Sequence, residues 1–132
     1  MKHKTPDQLA KARELAIELA KMAANTRCSN VIVIDVVGKS PITDFFVIGT
    51  GTSARQMRSV CDDCDEAALA QGAKAVRYSG YGDNSPWICV DFIDVVVHLF
   101  TEEARAYYDF DNLWADASRI TWNDAAPAVP VI

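Results

Sequence analysis

Hydrophobic and polar positions along the chain change period several times, and each change marks an element. Thr5-Pro6-Asp7-Gln8 combines an N-cap hydroxyl, a proline at the first helical position, a first-turn acid and a glutamine placed to close a capping box. A helix is predicted from there to about residue 25, with Leu9, Ala12, Ala16, Leu19 and Ala23 on its apolar face and Leu15 and Met22 flanking it. Lys11, Arg13, Glu14, Glu18 and Lys21 face water. Residues 31–36 are β-branched and almost continuously apolar, which predicts a strand covered on both faces. After a Gly/Pro loop, 45–50 form a second strand, and Thr52 or Ser53 caps a second helix, with Gln56 completing the box and Gly72 as its stop. A third strand, 75–79, is expected as the parallel neighbour of the second, because strand-helix-strand connections of this length are right-handed crossovers.

The polar run 78–86 reads as a loop. Residues 87–92 and 95–100 are then two strands so closely joined that only an antiparallel hairpin fits, and Thr101 caps a short helix with Glu102 and Glu103 in its first turn. Leu113 and Trp114 are expected to seal the core against the last strand. The prediction is one α/β domain over residues 1–117, a mixed five-stranded sheet with flanking helices in the order α-β-β-α-β-β-β-α. Residues 118–132 lack periodicity and read as a flexible tail.

Composition narrows the function. A chain of 132 residues can bury a single core without help from a cofactor, and no cofactor is expected. No apolar run approaches membrane-spanning length and the first residues carry neither a signal-peptide nor a transit-peptide pattern, so a soluble, cytoplasmic protein with no membrane partner is expected. Charge is divided unevenly: residues 1–61 sum to +4 and residues 62–132 to −9. The acidic half should be repelled by a phosphate backbone and drawn to a basic protein, so no direct nucleic-acid specificity is expected. Of the four cysteines, Cys61 and Cys64 share a helical stripe with Met57, Val60 and Ala68, which points both thiols inward; no metal is expected.

Four features are candidates for chemistry. The Gly-Thr-Gly-Thr-Ser turn from Gly49 to Ser53 leads a strand into a helix N-terminus, where N–H groups can hold a phosphate. It lacks the P-loop lysine and the third glycine of a dinucleotide fingerprint, and a tight turn with a capping box explains it as well. Asp91 and Asp94 bracket the hairpin turn and, with Asp83, offer oxygen ligands, although capping of local backbone is the usual role for a residue such as Asp94. Asp91 shares a strand face with Trp87 and Cys89. His98 lies on a strand face with Val96 and Phe100 and has no partner motif for general-base work. Trp87, Tyr81, Tyr107, Tyr108 and Trp114 combine apolar area with a polar handle, as interface anchors do.

The segments GKS-ITD, TGTS-RQ, WI-VD, DVVVH and a closing LW, in that order between Leu9 and Ala117, resemble the ribosomal silencing factor (Iojap) family. The resemblance implies a nucleotidyltransferase-like topology without catalytic residues and no enzymatic activity. It also implies binding to the large ribosomal subunit through ribosomal protein L-fourteen, which blocks small-subunit association and represses translation. Carried onto this chain, the partner contacts would be Trp87, Val90, Asp91, Arg105, Tyr108 and Trp114. Where the family usually has glycine at the hairpin turn this chain has Ile93, which resists positive φ, so the turn must change geometry or bear strain. Two copies could pair through a sheet edge or ring cluster when free. A different class of function, a nucleotide-handling enzyme built on the turn from Gly49 to Ser53, is the alternative.

Overall fold

The computed structural model describes residues 4–123. Ten elements follow one another: α1 (Pro6–Asn25), β1 (Ser29–Asp35), β2 (Phe45–Gly51), α2 (Ala54–Ala70), β3 (Arg77–Ser79), β4 (Trp87–Asp91), β5 (Val95–Thr101), α3 (Glu102–Tyr108), α4 (Phe110–Leu113) and β6 (Ser118–Ile120). The capping box of α1 forms as its sequence dictates, Thr5 and Gln8 each accepting the other's backbone N–H. Gly72, at φ +81°, closes α2, with the N–H of Ala73 reaching back to the Ala68 carbonyl.

The sheet has six strands among the described residues, in the order β3-β4-β5-β2-β1-β6. Only β2 and β5 pair in parallel. β5 and β2, the most continuously apolar segments, take the centre, where both faces are buried. That placement corrects two expectations. The third strand is not the neighbour of the second: Arg77–Ser79 is exposed throughout, can satisfy only an edge position, and pairs antiparallel with β4. The β4–β5 hairpin, with fully buried Ile88, Val90, Val97 and Leu99, takes the inner place instead.

The expected five strands become six because Ser118–Ile120 adds to β1 with Ile120 buried, and Trp122 Nε1–H donates to the Val31 carbonyl at 2.9 Å. Three residues are too few to show a period. This strand lies past the domain limit expected at residue 117; the remainder of the expected tail from residue 124, and His3, lie outside the described residues.

The two faces of the sheet are covered unequally. α1 and α2 pack Leu15, Leu19, Met57, Val60, Cys61 and Cys64 against Val33, Val47, Ile88, Val90, Val97 and Leu99. On the opposite, outer face Ile34, Phe46, Ile48, Val96 and Phe100 are covered by the short α3 and α4 and by the rings of Trp87, Phe110 and Trp114.

At the hairpin turn Ile93 adopts φ +76°. Its N–H donates to Asp91 Oδ1 at 2.7 Å and its carbonyl accepts from Thr43 Oγ1 at 2.9 Å, so contacts on both sides hold a β-branched residue in a left-handed conformation. Such a residue costs about 1–3 kcal/mol, and Ile93 recovers little of it by burial, being 56% exposed. Ile93→Gly, after about 0.5–1 kcal/mol of added chain entropy in the unfolded state, is expected to stabilise the protein by about 1 kcal/mol. The midpoint of a thermal melt then rises by about 4 °C; a lowered midpoint would contradict the strain.

Candidate functional site

The outer-face rings are positioned from the backbone up. Trp87 and Phe100 are register partners on β4 and β5, and their rings stack with centroids 4.7 Å apart. Cys89 and His98 are the next outward-facing pair, and Cys89 Sγ lies 3.2 Å from His98 Nδ1. The indole Nε1–H of Trp87 donates to the same nitrogen at 3.1 Å. An indole can only donate, so Nδ1 carries the lone pair and the imidazole proton is assigned to Nε2. Burial pushes the His98 pKa down to about 4 and the Cys89 thiol up to about 11, so at neutral pH the pair is neutral and unlike a thiolate–imidazolium nucleophile. His98 is 7% exposed and belongs to the aromatic packing: Phe110 lies 4.4 Å from it and Phe46 5.0 Å.

The second wall comes from α3 and α4. Thr101 Oγ1 caps α3, accepting from the Ala104 N–H, and Asp109, at φ +50°, turns the chain into α4. Arg105 holds this pair of helices to the sheet. It grips Asp111 with two parallel bonds, Nε to Oδ1 at 3.2 Å and Nη2 to Oδ2 at 2.8 Å, while Nη1 donates to the Asn30 carbonyl at 2.7 Å and to Thr50 Oγ1 at 2.8 Å. Burial alone would raise the Asp111 pKa; the Arg105 hydrogen bonds and charge outweigh it and hold the carboxyl below its ordinary value.

Two recesses open on this face. One, of about 460 Å³, is bounded by Ser85, Pro86, Trp87 and Tyr108; the other, of about 470 Å³, by Pro41, Phe46, Asp91, Val96, His98 and Trp114. Ser79 and Cys89 line both, so the two form one groove across the outer side of β3 and β4.

Of the six residues expected to meet a partner, the groove brings together four: Trp87, Asp91, Tyr108 and Trp114. Val90 is not among them. Strand alternation turns it to the helix-covered face, where it is fully buried. Arg105 is a positioning residue whose donors are engaged inside the protein, rather than a presented contact. Asp91, rather than Asp94, caps the turn; Asp94 and Asp44 instead share Lys4, at 3.1 and 2.7 Å. Leu113 does not seal the core, being 70% exposed, whereas Trp114 packs edge-on against Phe46.

Sequence reasoning missed the work of the acidic side of α2: Asp65 and Asp62 accept from the hydroxyls of Tyr78 and Tyr81, both at 2.8 Å, and so fasten the β3 edge. Only a residue-level map of which helix faces which strand could have shown it.

The turn from Gly49 to Ser53 is closed upon itself. Ser53 Oγ accepts from the Gln56 N–H and Gln56 Oε1 accepts from the Thr52 N–H, both at 3.0 Å, so two of the donors a phosphate would use are engaged. The side chains of Gln56 and Met57 fill the space beside Gly51, where even a Cβ would come within 2.3 Å of Met57. Asp63, mid-helix, accepts from Thr26 Oγ1. Among the described residues no group of three or more His, Cys, Asp or Glu is disposed to hold a metal, and no helix is long and apolar enough to cross a membrane. Cys61 and Cys64 are fully buried, as their helical stripe predicts, and burial pushes the Cys61 thiol up to about 12.

Comparison with known proteins places this geometry among relatives. The family model described as "Ribosomal silencing factor during starvation" matches residues 9–130. The ribosomal silencing factor RsfS of Halalkalibacterium halodurans is 35% identical over 107 residues, 78% of this chain and 91% of that protein. A mouse protein named for mitochondrial assembly of the ribosomal large subunit is 30% identical over 73% of this chain, which spans 43% of its length. A crystal structure from Bacillus halodurans superposes with a TM-score of 0.67 at 28% identity, covering 85% of this chain and 98% of that one.

The Arg105–Asp111 clamp makes the outer wall acid-sensitive. A carboxyl whose folded pKa lies below its ordinary 3.8 contributes stability that is present above that value and is lost as pH falls through the folded pKa. Asp111→Asn is therefore expected to lower stability at neutral pH by about 1–2 kcal/mol, a range that allows for partial solvent exposure. It should also flatten the fall in stability below about pH 4. Denaturant melts followed by tryptophan fluorescence at pH 7 and pH 3 measure both; an unchanged pH 7 stability would show that the clamp holds nothing.

Proposed function

Because the chain belongs to the ribosomal silencing factor family, whose role is ribosome-associated silencing of translation, we propose that it docks on the large ribosomal subunit with the ring-lined outer face of its sheet. The partner is ribosomal protein L-fourteen, and the docked body keeps the small subunit from joining by occupying the space between them. The observation that carries this reading is the groove itself: Trp87 and Tyr108, with ring centroids 4.9 Å apart, border it on the sheet face that only the short α3 and α4 cover, and Tyr108 is 48% exposed.

Three physical arguments support it. Rings with a polar handle, set on a rigid strand and helix, are the residue types that dominate interface energies. The −9 charge of residues 62–132 steers the protein toward a basic surface and away from bare phosphate. A domain of this size has a radius of gyration of about 14 Å, which is too thick for a close subunit interface to accommodate. The mouse relative's name refers to assembly of a ribosomal large subunit, in keeping with a large-subunit partner here.

Co-sedimentation with purified large subunits tests the docking face. Tyr108→Ala, at a largely exposed position, is expected to weaken binding about tenfold, and Trp87→Ala by more, in line with losses of about 2 kcal/mol or greater at buried aromatic anchors. Added salt should weaken binding further. Retention of both variants at the parent's level would remove this face from the interface.

A further inference from the structure

The three tryptophans use their ring N–H groups differently. Trp122 Nε1–H donates to a backbone carbonyl, Trp114 Nε1 is buried without a partner among the described residues, and Trp87 Nε1–H donates to the side chain of His98. Among the described residues Trp87 is therefore the one tryptophan whose N–H is held by another side chain. It is also half-buried beside the groove, next to the exposed Tyr108.

Two contacts fix the Trp87 ring, and they fix different things. Stacking on Phe100, with centroids 4.7 Å apart and 27° between the planes, holds the plane of the indole. It discriminates little between the two flips related by a half-turn about χ2, a torsion that is broad and roughly two-fold in tryptophan. The hydrogen bond to His98 Nδ1, at 3.1 Å, selects one flip and so decides which edge of the indole borders the groove. His98 is well placed for this. Register sets Trp87 opposite Phe100 and Cys89 opposite His98, so imidazole and indole are diagonal neighbours on one face. Val96 and Phe100, which flank His98 on that face of β5, have no acceptor in their side chains. Phe110 and Phe46 enclose the imidazole at 4.4 and 5.0 Å, and burial keeps it neutral at pH 7 with the Nδ1 lone pair available. Cys89 Sγ also lies 3.2 Å from Nδ1, but a thiol is the weaker donor and the indole N–H takes the lone pair.

We propose that His98 is the positioning residue for the docking anchor Trp87: its Nδ1 holds the indole in one orientation before the partner arrives, so that binding need not order the ring. The inference rests on the docking face argued above and adds the residue that preorganises it. Because the one polar atom of the Trp87 side chain is engaged inside the protein, Trp87 offers the partner apolar ring surface alone.

Leucine and asparagine are close in shape, and asparagine carries Oδ1 on Cγ, as histidine carries Nδ1. His98→Leu and His98→Asn thus lose the same ring packing, and only the first loses the acceptor. In co-sedimentation with purified large subunits, at a temperature where circular dichroism shows the variants folded, His98→Leu is expected to dock about three- to tenfold more weakly than His98→Asn, the usual penalty for immobilising a free side chain on binding. In a Trp87→Phe background that difference should vanish, as a double-mutant cycle requires of two residues that act through each other. A merely structural imidazole would give two variants that dock alike. Equal docking of the two variants, or a difference that persists without the indole N–H, overturns the positioning role. The parent protein supplies a reading that needs no substitution at His98: its Trp87 indole N–H should exchange with deuterated solvent about tenfold or more slower than that of free tryptophan. Exchange at the free rate shows an unheld ring and overturns the inference. Parent protein that fails to sediment with large subunits refutes the docking reading and this inference with it; parent protein that docks while the two His98 variants bind alike refutes the positioning role and leaves the docking face standing.

Discussion

The two faces of this sheet are unequally clad, and the rest of the molecule is arranged around that inequality. Helices of 20 and 17 residues cover one face, while the other has helices of seven and four. So little helix cannot bury the apolar strands β2 and β5 unaided, and aromatic side chains complete the cover. Rings used as a roof are half in the core and half in water. The surface proposed to meet a partner and the seal over the core are thus built from the same rings, and Arg105 is the clamp that keeps the roof in place. It joins α3 to the Asn30 carbonyl on β1, to Thr50 on β2 and to Asp111 on α4, so one side chain ties together elements far apart in sequence.

Beneath the roof His98 is buried among the rings. A neutral imidazole accepts from Trp87 and thereby fixes the indole in the plane that stacks on Phe100. The same hydrogen bond places the imidazole proton on the nitrogen that has no acceptor. His98 Nε2 and Trp114 Nε1 are buried without a hydrogen-bond partner among the described residues. At the turn that begins α2, the N–H groups of Thr52 and Gln56 are engaged by the side chains of Gln56 and Ser53.

Local signals made most of the fold legible in the sequence. The Thr5–Gln8 box, the Ser53 cap, the Gly72 stop and the tight β4–β5 hairpin are each written within a few residues. The difficulty at Ile93 was legible too, because a left-handed requirement at a turn is a property of one residue. What escaped was decided by competition between distant segments. That the hairpin, rather than 75–79, would lie beside β2 depends on which strand has more apolar area to bury. Arg105 could not be told from a surface arginine because Asn30 and Thr50 lie 75 and 55 residues away. Val90 is a different kind of miss: the alternation that puts Trp87, Cys89 and Asp91 on one face puts Val90 on the other, and the family likeness prevailed over that parity.

The central claim is that a ring-faced body seated on the large subunit leaves no room for the small one. Light scattering from a mixture of isolated large and small subunits, with this protein added in rising excess, measures the fraction of joined particles. The account predicts that this fraction falls toward zero as the large subunit saturates; joining that proceeds undiminished at saturation would contradict it.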